Sequence, residues 1–220
     1  MKKETLDIGT FEVVSTTLRI TDPCYDRDTW CAGTVENALP GIWSAKITKV
    51  DHEDNWGNRC RTLLAYHPSF KQNQKFTKLP IDVGVDSGQA GIFDEQFFKV
   101  DYDEDYLQVG NAEYDFNSLA FGRGTSLALD EARIFLEKDP KVKERLEAML
   151  ESRKNFVPQM PSPKPTRDWY EVCCDKTLSN VGAGAIRNGV VSSSGDGDGS
   201  YDAYAAYDKD GRVVAVKIKF

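Results

Sequence analysis

The chain has 220 residues, 40% hydrophobic and 29% charged, with 35 acidic against 28 basic side chains and a net charge of -7. These values describe a soluble globular chain long enough for one well-packed domain. The acidic balance argues against nucleic-acid binding, which needs a basic face. No apolar run approaches the ~20 residues that cross a bilayer. The polar start Met1-Lys2-Lys3-Glu4 has no apolar stretch of the kind a secretory signal needs. Five cysteines, none in a Cys-x-x-Cys pair, fit a reduced cytoplasmic protein.

Phe11 to Ile20 is rich in Val, Thr, Ile and Leu and reads as a first strand, ended by Asp22-Pro23. Gly41 to Val50 alternates as a second strand. After a polar loop, Arg61 to His67 reads as a third strand. Lys71, Lys75 and Lys78, separated by Gln and Asn, read as a solvated loop. Ile81 to Val85 is a fourth strand, and Gly91-Ile92-Phe93 resumes the sheet after the turn Asp86-Ser87-Gly88.

Helical signals follow. Asp130 is a good N-cap, and Asp139-Pro140 places proline at a first helical position. Val142, Leu146, Met149 and Leu150 form one apolar stripe. Pro158, Pro161, Pro163 and Pro165 make an extended linker. Asp168 caps a further helix from Trp169 to about Leu178. From Ala185 the chain is β again. Tyr201 to Tyr207 and Arg212 to Phe220 flank Asp208-Lys209-Asp210-Gly211, a strong hairpin signal. The expected fold is α+β: one domain over 1–220, a mostly antiparallel twisted β-sheet, a helical insert at 126–166 and a C-terminal β-hairpin.

Three Asp-centred loops are the candidate binding residues: Asp22, Cys24 and Tyr25; Asp86, Ser87 and Gly88, with Asp94 close by; and Asp196, Asp198, Tyr201 and Asp202. Small and acidic residues held by a rigid sheet are how binding loops are built. Asp196, Asp198, Ser200 and Asp202 fall at alternate positions, as in the first half of a calcium loop. Tyr201 occupies the position of its sharp-turn glycine and Tyr207 that of its bidentate Glu, so the loop pattern is incomplete. Asp86-Ser87-Gly88 follows an apolar strand as in aspartic proteases, but in one copy only. Cys24 would need a base to act as a nucleophile, and His52 and His67 are the only histidines. Gly182-Ala183-Gly184-Ala185-Ile186-Arg187 lacks the third glycine of a dinucleotide fingerprint. Trp30, Trp56, Tyr25 and Tyr204 lie near candidate loops, which leaves open a nucleotide held by loop backbone and aromatics.

Val190-Val191-Ser192-Ser193-Ser194-Gly195, then Gly197-Asp198-Gly199-Ser200-Tyr201, the Asp208–Gly211 turn and a terminal apolar strand resemble the ending of DUF4241, a domain-of-unknown-function family of bacteria and their phages. Val85-Asp86-Ser87-Gly88, Gly91-Ile92-Phe93-Asp94 and Asp22-Pro23 are similar to its other blocks. The resemblance brings no activity with it. It implies a role in conflict between phages and bacteria.

Two functions remain open. The first is a non-enzymatic binding protein without cofactor, whose loops hold a small polar ligand or a protein partner; its acidity suits a basic partner surface. The alternative is a metal-dependent hydrolase in which Asp22, Asp86, Asp196 and Asp198 converge on a calcium or magnesium ion, with Asp196, Asp198 and Asp202 as the candidate ligands.

Overall fold

Alternating apolar and polar residues over most of the chain dictate sheets that bury one face. In a computed structural model, residues 2–51, 57–103 and 166–220 are described. The chain divides into two compact units, Met1–Tyr102 with Arg167–Phe220, and Asp103–Thr166. The expected insert at 126–166, apart from Thr166, and the helical signals from Asp130 to Pro165 lie outside the described residues.

Eleven strands of the first unit build two antiparallel sheets. In chain order they are β1 (Lys2–Val13), β2 (Thr17–Thr21), β3 (Gly33–Glu36), β4 (Gly41–Asp51), β5 (Asn58–Tyr66), β6 (Phe76–Val85) and β7 (Gln89–Asp94). After the two-residue strands β8 (Tyr102–Asp103) and β9 (Thr166–Arg167), which pair with each other, come β10 (Ala183–Ile186), β11 (Gly189–Ser193), β12 (Gly199–Tyr207) and β13 (Val213–Lys219). The six-stranded sheet runs β1-β4-β5-β13-β12-β6 and the five-stranded sheet β10-β11-β7-β2-β3.

The sheets face each other across one core. Trp43, Ile47, Leu63 and Ile218 come from the larger sheet, and Ile20 and Ile92 from the smaller. All six are fully buried. The far face of the smaller sheet has its own cover. Helix α1 (Trp169–Thr177) starts at Asp168, whose carboxylate accepts from the N–H groups of Tyr170 and Glu171 at 2.9 and 3.1 Å. The cap and helix stand as the sequence predicts. Trp169 closes edge-on against Phe93 (4.9 Å between centroids) and Phe98 (5.1 Å). With both faces covered, every residue of β7 is buried.

Two sequence expectations need correction. Phe11 to Ile20 is not one strand. Its residues belong to β1 and β2, which lie in different sheets. The buried Asp94 carboxylate breaks the run by accepting from the N–H groups of Val14 (2.5 Å) and Ser15 (2.7 Å), a long-range partner that no local pattern announces. The solvated loop around Lys71 ends sooner than expected: Phe76, Thr77 and Lys78 already belong to β6 and pair with β12.

Phe93 joins strand, helix and the turn after β7, so its truncation is the sharpest test of this packing. Phe93→Ala is expected to cost about 3–5 kcal/mol, the range for emptying a buried aromatic site. Denaturant unfolding measures it, and a loss below about 1 kcal/mol would contradict the packing.

Candidate functional site

The chain passes between the sheets twice at one end of the molecule. β6 leads to β7 through Asp86-Ser87-Gly88, and β11 leads to β12 through Ser194–Asp198. The two crossings are stitched together. Ser194 N–H donates to the Gly88 carbonyl at 2.9 Å, and Gly88 N–H donates to the Asp198 carboxylate at 3.1 Å. Gly195 has φ +67°, and a Cβ there would fall 2.1 Å from the Cys60 carbonyl oxygen, so only glycine lets this loop lie against β5.

The third loop, between β2 and β3, is tied to the same point by Asp22. Asp-Pro opens a turn in which Tyr25 N–H donates to the Asp22 carbonyl at 3.2 Å. The Asp22 side chain is fully buried, yet its charge is met by four donors. Oδ1 accepts from Cys24 N–H (2.8 Å) and the Ser87 hydroxyl (2.6 Å), and Oδ2 from the N–H groups of Asp86 (2.9 Å) and Ser87 (2.8 Å). A buried carboxylate persists only with such compensation. Asp22 is thus a clamp between two loops, with no oxygen turned to solvent.

The loop then runs along the edge of the larger sheet. Gly84 N–H on β6 donates to the Cys31 carbonyl at 2.8 Å. A Cβ at Gly84 would lie 2.5 Å from the Cys31 sulfur, so the bare glycine permits this close approach. Between loop and sheet edge opens a cleft of about 300 Å³. Tyr25, Thr29, Trp30 and Cys31 form one side, and Asp82, Asp86 and Ser200 lie on the other. Trp30 is 85% exposed. Burial, and then the adjacent Asp86 carboxylate, pushes the Tyr25 phenol well above its ordinary range, so it stays protonated as a donor.

The structure therefore brings together Asp22, Cys24, Tyr25, Asp86, Ser87, Gly88 and Asp198. It does not bring Asp94, which ends β7 about 17 Å along the strand from Gln89 and holds the β1–β2 turn instead. The three candidate metal ligands have three separate engagements. Asp196 is gripped by Arg59 at 2.9 Å and by Arg61. Asp198 binds Gly88 N–H, and Asp202 binds Lys78 at 2.6 Å. Tyr201 turns its hydroxyl to the Gly197 carbonyl at 2.7 Å. Among the described residues no three His, Cys, Asp or Glu side chains are grouped to hold a metal ion.

Sequence reasoning missed Asp82. It stands four residues before Asp86 on β6, and strand alternation turns it away from the buried Val83 and Val85. It also missed the second wall behind Ser87. There Gln89 Nε2 donates to the Tyr170 hydroxyl at 3.4 Å, and Thr177 Oγ1 donates to Gln89 Oε1 at 2.9 Å. Burial is the first cause that pushes the Tyr170 phenol up to about 12. No local motif signals this wall, because helix and strand meet across 81 residues of chain.

The family can be given on this ground. The chain belongs to the family described as "Protein of unknown function (DUF4241)", whose model matches residues 11–218. No curated protein and no solved structure matches the chain.

The nucleophilic reading of Cys24 meets an electrostatic obstacle. Cys24 is exposed, yet partial desolvation of its sulfur, and then the Asp22 carboxylate beside it, push the thiol up to about 12. His67 is engaged elsewhere, with Ser69 at 2.8 Å and with the Trp43 ring, while His52 lies outside the described residues. Alkylation of Cys24 by iodoacetamide, read by peptide mass, is expected to run more than about a hundredfold slower than for free cysteine near pH ~8. A rate equal to that of free cysteine would contradict this environment.

Proposed function

We propose that the protein is a non-enzymatic binding protein. Its binding surface is the end of the molecule where the β2–β3, β6–β7 and β11–β12 loops meet. The cleft between Tyr25, Trp30 and Asp86 receives a small polar ligand or a side chain of a protein partner. The observation that carries this reading is the exposed Trp30 beside a preformed cleft of about 300 Å³. Large apolar rings are costly to leave in water, and Trp anchors interfaces and ligand sites more often than most residues. Five free cysteines favour a reducing compartment, and we assign the protein to the cytoplasm on that ground.

The metal-dependent hydrolase draws support from the meeting of the three loops. Against it, three of its four carboxylates are committed, all but Asp86. Asp22 holds four donors, Asp196 two arginines and Asp198 the Gly88 backbone. Metal chemistry needs carboxylate oxygens free to converge on one ion. These are spent on backbone and guanidinium groups.

Two measurements separate the readings. Thermal unfolding in chelator and then with calcium, magnesium, manganese or zinc is expected to give one midpoint throughout. An ion held at ~100 times its dissociation constant would add about 2.7 kcal/mol and raise that midpoint, which would favour the hydrolase. A panel of small polar compounds, followed by backbone and indole NMR shifts of the full chain, is expected to perturb the Trp30 indole and the Asp86–Gly88 amides. Trp30→Ala should abolish that response without moving the unfolding midpoint. Shifts confined to any other surface would contradict the binding reading.

A further inference from the structure

We infer that the cleft selects an organic cation, an alkylammonium or guanidinium group, by enclosing it between the Trp30 and Tyr25 rings and the Asp82 and Asp86 carboxylates. This rests on the binding reading above and names the chemistry of its ligand.

Three independent features point the same way. The first is the charge of the lining. Asp82 and Asp86 are the only ionic side chains among the ten cleft residues, and no Lys, Arg or His joins them. Asp82 is engaged by the Ser200 hydroxyl and Asp86 faces the Tyr25 phenol, both neutral groups. Lys78, the cation nearest to Asp82 along the strand, is committed to Asp202 at 2.6 Å. The cleft therefore carries negative charge that its own walls leave uncompensated, and such a cleft concentrates cations.

The second feature is the rim. Trp30 is 85% exposed, so its indole face is open to solvent. An indole face attracts a cation through its quadrupole and is the best of the aromatic faces for this purpose. Beside two carboxylates, the ring adds attraction of the same sign for a cation, whereas an anionic ligand would be repelled by both elements.

The third feature is shape. Gly84, Gly199 and Ser200 leave the sheet side of the cleft bare of large side chains. The Cys31 carbonyl is spent on Gly84 N–H, which fixes the loop that carries Trp30. The walls are thus set before a ligand arrives, which spares the ordering cost of binding. A planar guanidinium or a compact ammonium on a flexible stem suits a slot of this size.

The test is an NMR titration of the full chain with N-acetyl-arginine methylamide and its neutral isostere N-acetyl-citrulline methylamide. The arginine compound is expected to shift the Trp30 indole and the Asp86 amide saturably. The citrulline compound should bind about tenfold more weakly or worse. Raising salt from about 0.05 to 0.5 M should weaken the arginine compound only. The double variant Asp82→Asn/Asp86→Asn, whose two side chains are solvent-exposed, should keep its unfolding midpoint and lose the preference between the compounds.

Equal binding of the two compounds would overturn the cation inference and leave the binding reading standing. The same follows if the double variant retains the preference. Shifts that map away from the cleft for both compounds would count against both readings. No saturable shift from the arginine compound, while neutral compounds of the panel perturb the Trp30 indole, would overturn the cation inference alone.

Discussion

The Asp22 carboxylate fixes where the loops of this molecule stand. It is removed from water, and a bare carboxylate in that position would be costly by several kcal/mol. Three donors from the Asp86-Ser87 turn and one, the Cys24 N–H, from its own loop offset the cost. Because the charge cannot be satisfied unless those segments are in place, burial of Asp22 and closure of the Asp86-Ser87 turn are one event. Asp94 does the same at the other end of β7, where it holds the passage from β1 to β2. Each buried carboxylate sits where the chain changes sheets or turns against the other sheet.

Architecture explains why these sites exist. A two-sheet fold must pass the chain between its layers, and each passage exposes backbone N–H groups that no ladder satisfies. Aspartate is short enough to reach such groups and carries the charge that makes the bonds strong. Two passages side by side, β6–β7 and β11–β12, give one end of the molecule a rigid floor. On that floor the β2–β3 loop is free to carry exposed residues, Trp30 among them. The result is a cleft whose walls are set by buried polar bonds and whose rim remains open to solvent.

Local chemistry was legible in the sequence. Asp168 announced its helix, because capping acts over three residues. Asp22-Pro23 announced its turn for the same reason, and the three Asp loops were recognised as candidates before their meeting was visible. What was not legible is what depends on distant partners. The break at Val14 comes from Asp94, about 80 residues away. Asp94 resembled a neighbour of Asp86 by position, yet a strand carries it to the opposite end. The alternate spacing of Asp196, Asp198, Ser200 and Asp202 was real, but Arg59, Arg61, Gly88 and Lys78 claim the carboxylate oxygens. Asp82 gave no signal because its importance lies in what it faces across the cleft.

The central claim is that one buried carboxylate holds the loops that shape the cleft. Backbone hydrogen exchange in the wild-type chain and in Asp22→Asn tests it most directly, since the isosteric amide keeps the volume while offering one acceptor oxygen instead of two. The account predicts that the Asp86 and Ser87 amides exchange slowly in the wild type and at least about tenfold faster in the variant, while the Ile92 amide in the centre of β7 keeps its protection. Unchanged exchange at Asp86 and Ser87 in the variant would contradict it.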